Sequence, residues 1–213
     1  MRTGVIDYGA GNLHSVCNGL KQLEIESRLV SVPEHLEEID ALIFPGVGAF
    51  GDCMTHLQAQ NLVEPVASWV RADRPFLGIC IGYQVLFESS KESPDIPGLG
   101  VFQGEVVRFS EKSGLKIPHM GWNTVESVDE DDPFWDGLPG ETHFYFVHSY
   151  YPSPEDDSMA GSWTEYGTRF ASSIRVGNVA ATQFHPEKSQ TAGLRLVENF
   201  VRKIAEPALA AKV

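Results

Sequence analysis

The sequence lacks the excess of positive charge that a nucleic-acid-binding protein needs. It has 16 lysines and arginines against 29 aspartates and glutamates, which gives a formal net charge of −13. Binding to a phosphate backbone requires a basic surface that displaces counterions. A nucleic-acid partner is therefore not expected.

Long apolar runs and paired cysteines are missing as well. No segment approaches the roughly 20 apolar residues of a membrane helix, and the opening stretch MRTGVIDYGAGN has no apolar core of a secretory signal. Cys17, Cys53 and Cys80 are odd in number and far apart, with no C-x-x-C pair. This spacing argues against a disulfide framework and a zinc site, so we expect a cytoplasmic protein without membrane contact.

Strand and helix signals alternate in the first half of the 213 residues. Short continuous apolar runs are typical of strands buried on both faces of a parallel sheet. After about residue 98, β-like runs separated by Gly, Pro, Asp and Ser take over. We therefore predict one α/β domain over residues 1–213, with a mostly parallel sheet, helices on both faces and an antiparallel β annex.

The same patterns predict individual elements. Early strands are expected at residues 3–8, 27–30, 41–44 and 75–80, with helices at 13–23 (capped by Asn12), at 52–71 (interrupted at Pro65) and beginning within 82–91. In the second half, strands are expected within 101–109, 144–151, 168–176 and 179–187, and a closing amphipathic helix at 191–205. The acidic segments 128–140 and 151–161 are predicted to be solvated loops, and the tail after Pro207 to fray.

The stretch GICIG places Cys80 between Gly78 and Gly82 at a predicted strand-to-helix turn. This is the thiol counterpart of the G-x-S-x-G nucleophile elbow, in which a strained turn presents the nucleophile and glycines make room for the adjoining strand and helix. The N–H groups and the positive dipole end of the following helix favour a thiolate there. A small buried structural cysteine remains the alternative.

A histidine and a glutamate in VAATQFHPEKS supply the partners that a thiolate needs. His185, one of seven histidines, ends an apolar strand, and Glu187 follows two residues later. On an extended segment these side chains point the same way, so the carboxylate can fix the tautomer of the imidazole and stabilise the imidazolium. Without the elbow, a solvent-facing pair would be the better interpretation. With Cys80, the pattern predicts a Cys-His-Glu triad.

The loop PGVG, residues 45–48, ends the strand expected beside the elbow strand. Its backbone N–H groups, at Val47 and Gly48, are candidates for an oxyanion hole together with the N–H of Ile81. A phosphate cradle is the competing interpretation, but the G-x-x-x-x-G-K-[ST] pattern is missing.

Five stretches together resemble the class I (triad) glutamine amidotransferases, and within that class the glutaminase member that serves histidine biosynthesis. They are PGVGAFGD, GICIGYQVLFESS, KIPHMGWN, FYFVHSYY and QFHPEKS, in this order. The resemblance covers nearly the whole chain. It implies a flavodoxin-like central sheet and no metal or organic cofactor.

The resemblance also implies residue roles. Cys80 would attack the side-chain amide of L-glutamine, and His185, with Glu187 behind it, would protonate the leaving ammonia and then activate water. Gln84 and the backbone around Ser149 and Tyr150 would hold the α-amino and α-carboxylate ends of the substrate.

A partner subunit is implied too. Ammonia would pass to a cyclase, a TIM-barrel protein, in a heterodimer. Asn12, Trp122 and Lys188 match positions that the family uses near this partner. From the residues alone, Trp122 is equally a core aromatic, and Lys188 equally a solvated charge.

Three other interpretations stay open at this point. A cysteine peptidase would use the same thiolate and imidazole, although no peptide groove is evident in the sequence. A non-catalytic module of the same fold would more plausibly have lost one triad residue. A triad glutaminase that serves another biosynthetic pathway is the alternative within the amidotransferase class.

Overall fold

The computed structural model describes residues 1–9, 13–111 and 114–211, arranged as twelve strands, six α-helices and shorter helical turns. The strands are β1 (Thr3–Ile6), β2 (Ser27–Val30), β3 (Ala41–Phe44), β4 (Phe76–Ile79), β5 (Phe87–Ser90), β6 (Phe102–Arg108), β7 (His119–Ser127), β8 (Glu141–His148), β9 (Tyr150–Pro154), β10 (Ala160–Glu165), β11 (Arg169–Val176) and β12 (Val179–Thr182). The helices are α1 (Leu13–Gln22), α2 (Phe50–Ala59), α3 (Val63–Arg71), α4 (Ile81–Gln84), α5 (Gln190–Asn199) and α6 (Glu206–Ala210), with a π-helical turn at Phe200–Ala205. The 3₁₀ turns are Pro33–Glu38, Pro133–Trp135, Asp157–Met159 and Pro186–Lys188.

The predicted α/β architecture is confirmed. A nine-stranded sheet runs in the order β2-β1-β3-β4-β12-β11-β10-β7-β8. The pairings from β2 to β12 are parallel and those from β12 to β8 are antiparallel, so the predicted annex continues the main sheet. A second sheet, β5-β6-β9, is not hydrogen-bonded to it, but Tyr151 on β9 packs against Phe170 on β11 with ring centroids 5.2 Å apart.

The parallel strands are buried on both faces. Alternate residues belong to two separate apolar clusters: Leu42 and Phe44 pack with α2 and α3 on one side, and Ala41 and Ile43 pack with α1 and α5 on the other. This alternation follows from the two-residue period of a strand. The parallel pairing places the carboxyl ends of β1, β3, β4 and β12 along one edge of the sheet, where active sites of open α/β folds form.

The helix predicted to begin within 82–91 is short, and the rest of that prediction is wrong. Helix α4 ends at Gln84, and Phe87–Ser90 is a strand that pairs with β6. The chain leaves the helix because carbonyls of this segment bind the 98–101 segment instead; Leu99 N donates to Val85 O at 2.7 Å. Tertiary pairing overrides the local apolar spacing here.

The predicted helix 52–71 is two helices. The break lies at residues 60–62, where Asn61 has a φ of 57°. Pro65 does not interrupt the helix, because it lies in the first turn of α3, where a missing N–H leaves no helical hydrogen bond unmade.

Several further predictions need correction or fall outside the description. Strands β7 and β10 were not predicted, and the strand predicted within 144–151 is two strands, β8 and β9, which belong to different sheets. The acidic segments are not solvated loops throughout: 128–140 buries Phe134 and Trp135 completely or nearly so, and 151–161 contains most of β9 and the start of β10. Helix α6 extends past Pro207 to Ala210, so the described part of the tail does not fray. The predicted cap Asn12 lies outside the described residues. Among the helices of the described ranges, none is long and apolar enough to cross a membrane.

Candidate active site

Cys80 lies at the carboxyl end of β4, on a sharp turn into α4. Its φ is 54° and its ψ is −103°, a strained conformation for a residue with a side chain. The backbone N–H donates to Thr182 O on β12 at 2.7 Å, which fixes the turn against the neighbouring strand. The thiol is 7% exposed and lines a cavity of about 400 Å³.

The glycines of the motif allow this turn to pack. A Cβ built on Gly82 would lie 1.9 Å from the carbonyl oxygen of Phe44, so α4 can approach β3 only without a side chain there. We expect Gly82→Ala to destabilise the protein by about 2–3 kcal/mol, measured by thermal or urea unfolding.

Gly19 provides the matched control, since it is also helical and its Cβ would meet Leu194 at an ordinary 3.4 Å. Gly19→Ala should be neutral or stabilising by up to about 1 kcal/mol. Equal losses of stability in the two variants would contradict the close-packing account of Gly82.

His185 and Glu187 meet next to Cys80 because β12 is the parallel neighbour of β4, with Thr182 opposite Ile79. The imidazole Nδ1 lies 2.8 Å from Glu187 Oε1, and the side chains are 1% and 2% exposed. The pair is not on an extended segment as expected, since Glu187 lies in the 3₁₀ turn Pro186–Lys188. The turn nevertheless brings carboxylate and imidazole together.

The other imidazole nitrogen, Nε2, is buried without an ordinary hydrogen bond to any described residue. Burial by itself lowers the pKa of His185, but the nearby Cys80 sulfur, followed by the hydrogen bond and charge of Glu187, raises it to about 10. The site therefore favours an imidazolium beside the Cys80 sulfur. Such a pair suits nucleophilic attack followed by proton donation.

Gln183, which the sequence reasoning missed, touches the nucleophile directly. Its amide Nε2 lies 3.6 Å from Cys80 Sγ, and its Oε1 accepts from Gln84 Nε2 at 3.1 Å. The side chain is fully buried. A glutamine two residues before a candidate catalytic histidine was the available signal, because i and i+2 residues share a side of a strand.

The loop after β3 brings candidate oxyanion donors to the same cavity. Val47, Gly48 and Ile81 line it with Cys80. In the part of the chain that the structure describes, their N–H groups donate to no protein acceptor. Gly48 has a φ of 108°, which favours glycine, and the Val47 carbonyl accepts from the Tyr8 hydroxyl at 3.1 Å. These N–H groups are free to bind a developing negative charge.

The cavity carries one charge of each sign. Glu92 and Lys188 both line it, alongside the predicted substrate residues Gln84, Ser149 and Tyr150. Glu92 was not predicted, because no motif marks a glutamate in a loop; its Oε2 also accepts from Phe50 N at 2.7 Å. Oppositely charged groups at the wall suit a zwitterionic ligand. Within the described ranges, no group of three or more potential metal ligands converges.

Gln84 is almost fully buried, and both of its amide hydrogens are used. Nε2 donates to Tyr150 O at 3.0 Å and to Gln183 Oε1 at 3.1 Å. Its carbonyl oxygen is therefore the group left to meet a ligand, and it can accept a hydrogen bond from an ammonium group.

The three candidate interface residues differ in where the structure places them. Trp122 is 48% exposed on β7, beside Met120 at 63%, so the core interpretation of Trp122 is wrong. Lys188 is exposed at the cavity wall, with its Nζ 5.9 Å above the Tyr145 ring. Asn12 lies outside the described residues.

Comparison with known proteins agrees with this geometry. A sequence model of the family described as "Glutamine amidotransferase class-I" matches residues 4–204. The chain is 46% identical over 206 residues to "Imidazole glycerol phosphate synthase subunit HisH" of Synechococcus sp. (strain JA-3-3Ab), covering 96% of this chain and 95% of the relative. A protein of the same name from Methylococcus capsulatus is 47% identical over 206 residues, covering 93% and 94%.

A solved structure described as "Crystal structure of glutamine amidotransferase" superposes with a TM-score of 0.74 at 25% identity. The alignment covers 96% of this chain and 98% of that one.

Proposed function

The chain belongs to the class I glutamine amidotransferase family, and from this we propose that it is the glutaminase subunit of imidazole glycerol phosphate synthase. It hydrolyses L-glutamine to glutamate and ammonia for histidine biosynthesis, as a single amidotransferase domain over residues 1–213 in the cytoplasm. The observation that carries the proposal is the buried Cys80–His185–Glu187 arrangement at the wall of a cavity with both charges. The near-full-length similarity to HisH subunits supports the pathway.

Acylation begins with the Cys80 sulfur. The thiolate attacks the side-chain carboxamide carbon of glutamine, and the resulting oxyanion accepts hydrogen bonds from the N–H of Ile81 and from the Val47–Gly48 loop. His185, held by Glu187 at Nδ1, donates its Nε2 proton to the leaving nitrogen. The C–N bond breaks, ammonia leaves, and a γ-glutamyl thioester remains on Cys80.

Deacylation reuses the same groups. The imidazole, now neutral at Nε2, takes a proton from water, whose oxygen attacks the thioester carbon. A second oxyanion forms in the same place, and its collapse expels the Cys80 thiolate and releases glutamate. Glu187 stabilises the imidazolium in both halves.

The charges of the cavity orient the substrate. The α-ammonium would lie toward Glu92 and the Gln84 carbonyl oxygen, and the α-carboxylate toward the backbone N–H groups near Ser149 and Tyr150. A peptide substrate has no free charges at these points on its internal residues. Release of ammonia from glutamine, compared with cleavage of peptides, tests this distinction.

The partner in this proposal is the cyclase subunit HisF, a TIM-barrel protein, in a heterodimer that passes ammonia between the two sites. The exposed apolar side chains of Met120 and Trp122, on the strand that follows the cavity residue Pro118, support a docking surface. Co-purification with HisF is the most direct test of the partner.

Activation by the partner should appear mainly in kcat. The chain alone is expected to be a poor glutaminase, and HisF with its nucleotide ligand should raise kcat about 10²–10³-fold. The physical place for this switch is the Pro45–Gly48 loop. One N–H that is turned away from the oxyanion forfeits about 2.7–4 kcal/mol, felt only in the transition state.

Three kinetic series check this prediction: the chain alone, the chain with HisF, and the chain with HisF and ligand. Similar KM values and rising kcat are expected. Equal kcat in all three would remove the case for a ligand-gated subunit, while absence of glutaminase activity in every series would remove the proposed function itself.

A further inference from the structure

Two histidines that the reaction does not use meet beside the substrate cavity. His119 on β7 and His148 on β8 lie directly opposite each other in the antiparallel register. They are 3% and 6% exposed, and His119 Nδ1 lies 2.9 Å from His148 Nε2. His148 also lines the cavity, so this buried pair reaches the substrate wall.

Their outer nitrogens continue the chain of hydrogen bonds. His148 Nδ1 lies 2.8 Å from the carbonyl oxygen of Tyr150, and His119 Nε2 lies 3.2 Å from the amide Nδ2 of Asn123. Asn123 is itself anchored, because Nδ2 also donates to Glu165 O at 3.0 Å. The series therefore runs from β7 through β8 to the first residue of β9.

The two ends fix the direction of every proton. A carbonyl can only accept, so His148 Nδ1 carries a hydrogen and its Nε2 accepts from His119 Nδ1–H. His119 Nε2 then accepts from Asn123. Burial lowers the pKa of His119 to about 4 and that of His148 to about 3, so both rings are neutral near pH 7.

The series ends at the backbone of Tyr150, which the proposed function places beside the substrate α-carboxylate. Phe109 N donates to Ser149 O at 3.1 Å, opposite it in the β6–β9 ladder, so Tyr150 occupies the next, non-hydrogen-bonded position. The N–H and C=O of Tyr150 both face away from β6. The carbonyl receives His148 and Gln84, and the N–H faces that same side, where Gln84 and Tyr150 line the cavity.

We propose that His119 and His148 are positioning residues for the substrate α-carboxylate: through the Tyr150 carbonyl they hold the Tyr150 N–H toward the bound amino acid. This inference rests on the proposed function, since it concerns how glutamine is held. His119 acts through His148, and His148 acts through the backbone. Gln84 holds the same carbonyl from the α4 side, so the two contacts fix it from two elements.

If the two histidines served only to pack the core, their variants would change thermal stability and not KM. His119 stacks between Phe146 and Tyr166 at ring distances of 4.6 and 4.0 Å, so its loss affects packing whatever its role. Packing loss lowers thermal stability. A positioning role changes KM for glutamine while kcat stays, because the triad and the oxyanion donors are untouched.

The test uses glutaminase kinetics of the full chain in complex with its cyclase subunit. His119→Leu should raise KM for L-glutamine about three- to tenfold, the loss expected for one hydrogen bond of a buried series, with kcat within about twofold. His119→Gln keeps a donor and an acceptor and should restore most of the KM. His143→Leu is the matched control: His143 is exposed on β8, the strand that also carries His148, and among the described residues its side chain hydrogen-bonds Thr124 alone, so its KM should not change.

If His119→Leu does not fold, Asn123→Leu replaces it, because that variant keeps both rings and removes the donor to His119, together with the hydrogen bonds of Asn123 to Glu165 O and Thr124 N. Its KM should also rise. If the wild type is active but its folded variants have the same KM as His143→Leu, or lose kcat at constant KM, this inference is wrong and the proposed function stands. A wild-type complex without glutaminase activity overturns the proposed function and this inference with it.

Discussion

Cys80→Ala is expected to lower kcat for glutamine hydrolysis by about 10⁴-fold or more, because no other group can form the thioester. The folded structure should persist, since alanine fits the nearly buried position and the turn is held by backbone hydrogen bonding to Thr182. Cys80→Ser should be similarly inactive, because a hydroxyl is a far weaker nucleophile than a thiolate at neutral pH.

The other two cysteines serve as controls for this prediction. Burial raises the pKa of Cys17 and of Cys53, so both remain thiols. A glutamine analogue with an electrophilic side chain should alkylate Cys80 alone, and Cys17→Ala should keep full activity. Equal labelling of all three cysteines in a mass spectrum would contradict an activated thiol at Cys80.

His185→Asn should cost nearly as much activity as the loss of Cys80, whereas Glu187→Gln should be about 10²-fold less severe. The imidazole transfers every proton of the cycle. Glu187 binds the imidazole at Nδ1, 2.8 Å away, and a glutamine carbonyl can still accept from that nitrogen without supplying charge. The His185→Asn/Glu187→Gln double variant should lose little more than His185→Asn alone, since triad members act as a unit.

A histidine away from the cavity provides the control. His56 is exposed on α2, and among the described residues its side chain hydrogen-bonds the Asp52 carbonyl alone, so His56→Asn should retain activity. A Glu187→Gln variant as inactive as His185→Asn would contradict this division of roles, because it would mean that the carboxylate does more than orient and stabilise the imidazole.

The strands that build the active-site edge were predictable because local signals and tertiary context agree there. In β1, β3 and β4 the continuous apolar runs match strands buried on both faces, and GICIG has a strained Cys80 as its motif requires. The helix after Cys80 was overestimated because Phe87 satisfies a helical period equally well. Phe87 instead belongs to a strand and pairs with Phe102 on β6, fifteen residues farther along the chain (102 − 87).

The missed site residues share one cause. Glu92 lines the cavity because of the tertiary placement of a loop, which no local pattern encodes. The spacing of Gln183 from His185 was a signal, but the contact of Gln183 with Cys80 depends on the pairing of β12 with β4. The exposure of Trp122 was likewise undetermined, because β7 mixes apolar and polar residues on both faces. His119 and His148 meet only because β7 and β8 pair in a register that places them opposite each other.

The central claim is that Cys80 generates the ammonia and a separate subunit uses it. The most direct measurement is synthesis of the cyclase product by wild-type and Cys80→Ala complexes, each supplied with L-glutamine or with an ammonium salt. The wild type should use both nitrogen sources, and the variant should lose the glutamine-driven reaction while keeping the ammonium-driven one at a similar rate. A variant that still uses glutamine, or that loses both reactions although the complex assembles, would contradict the account.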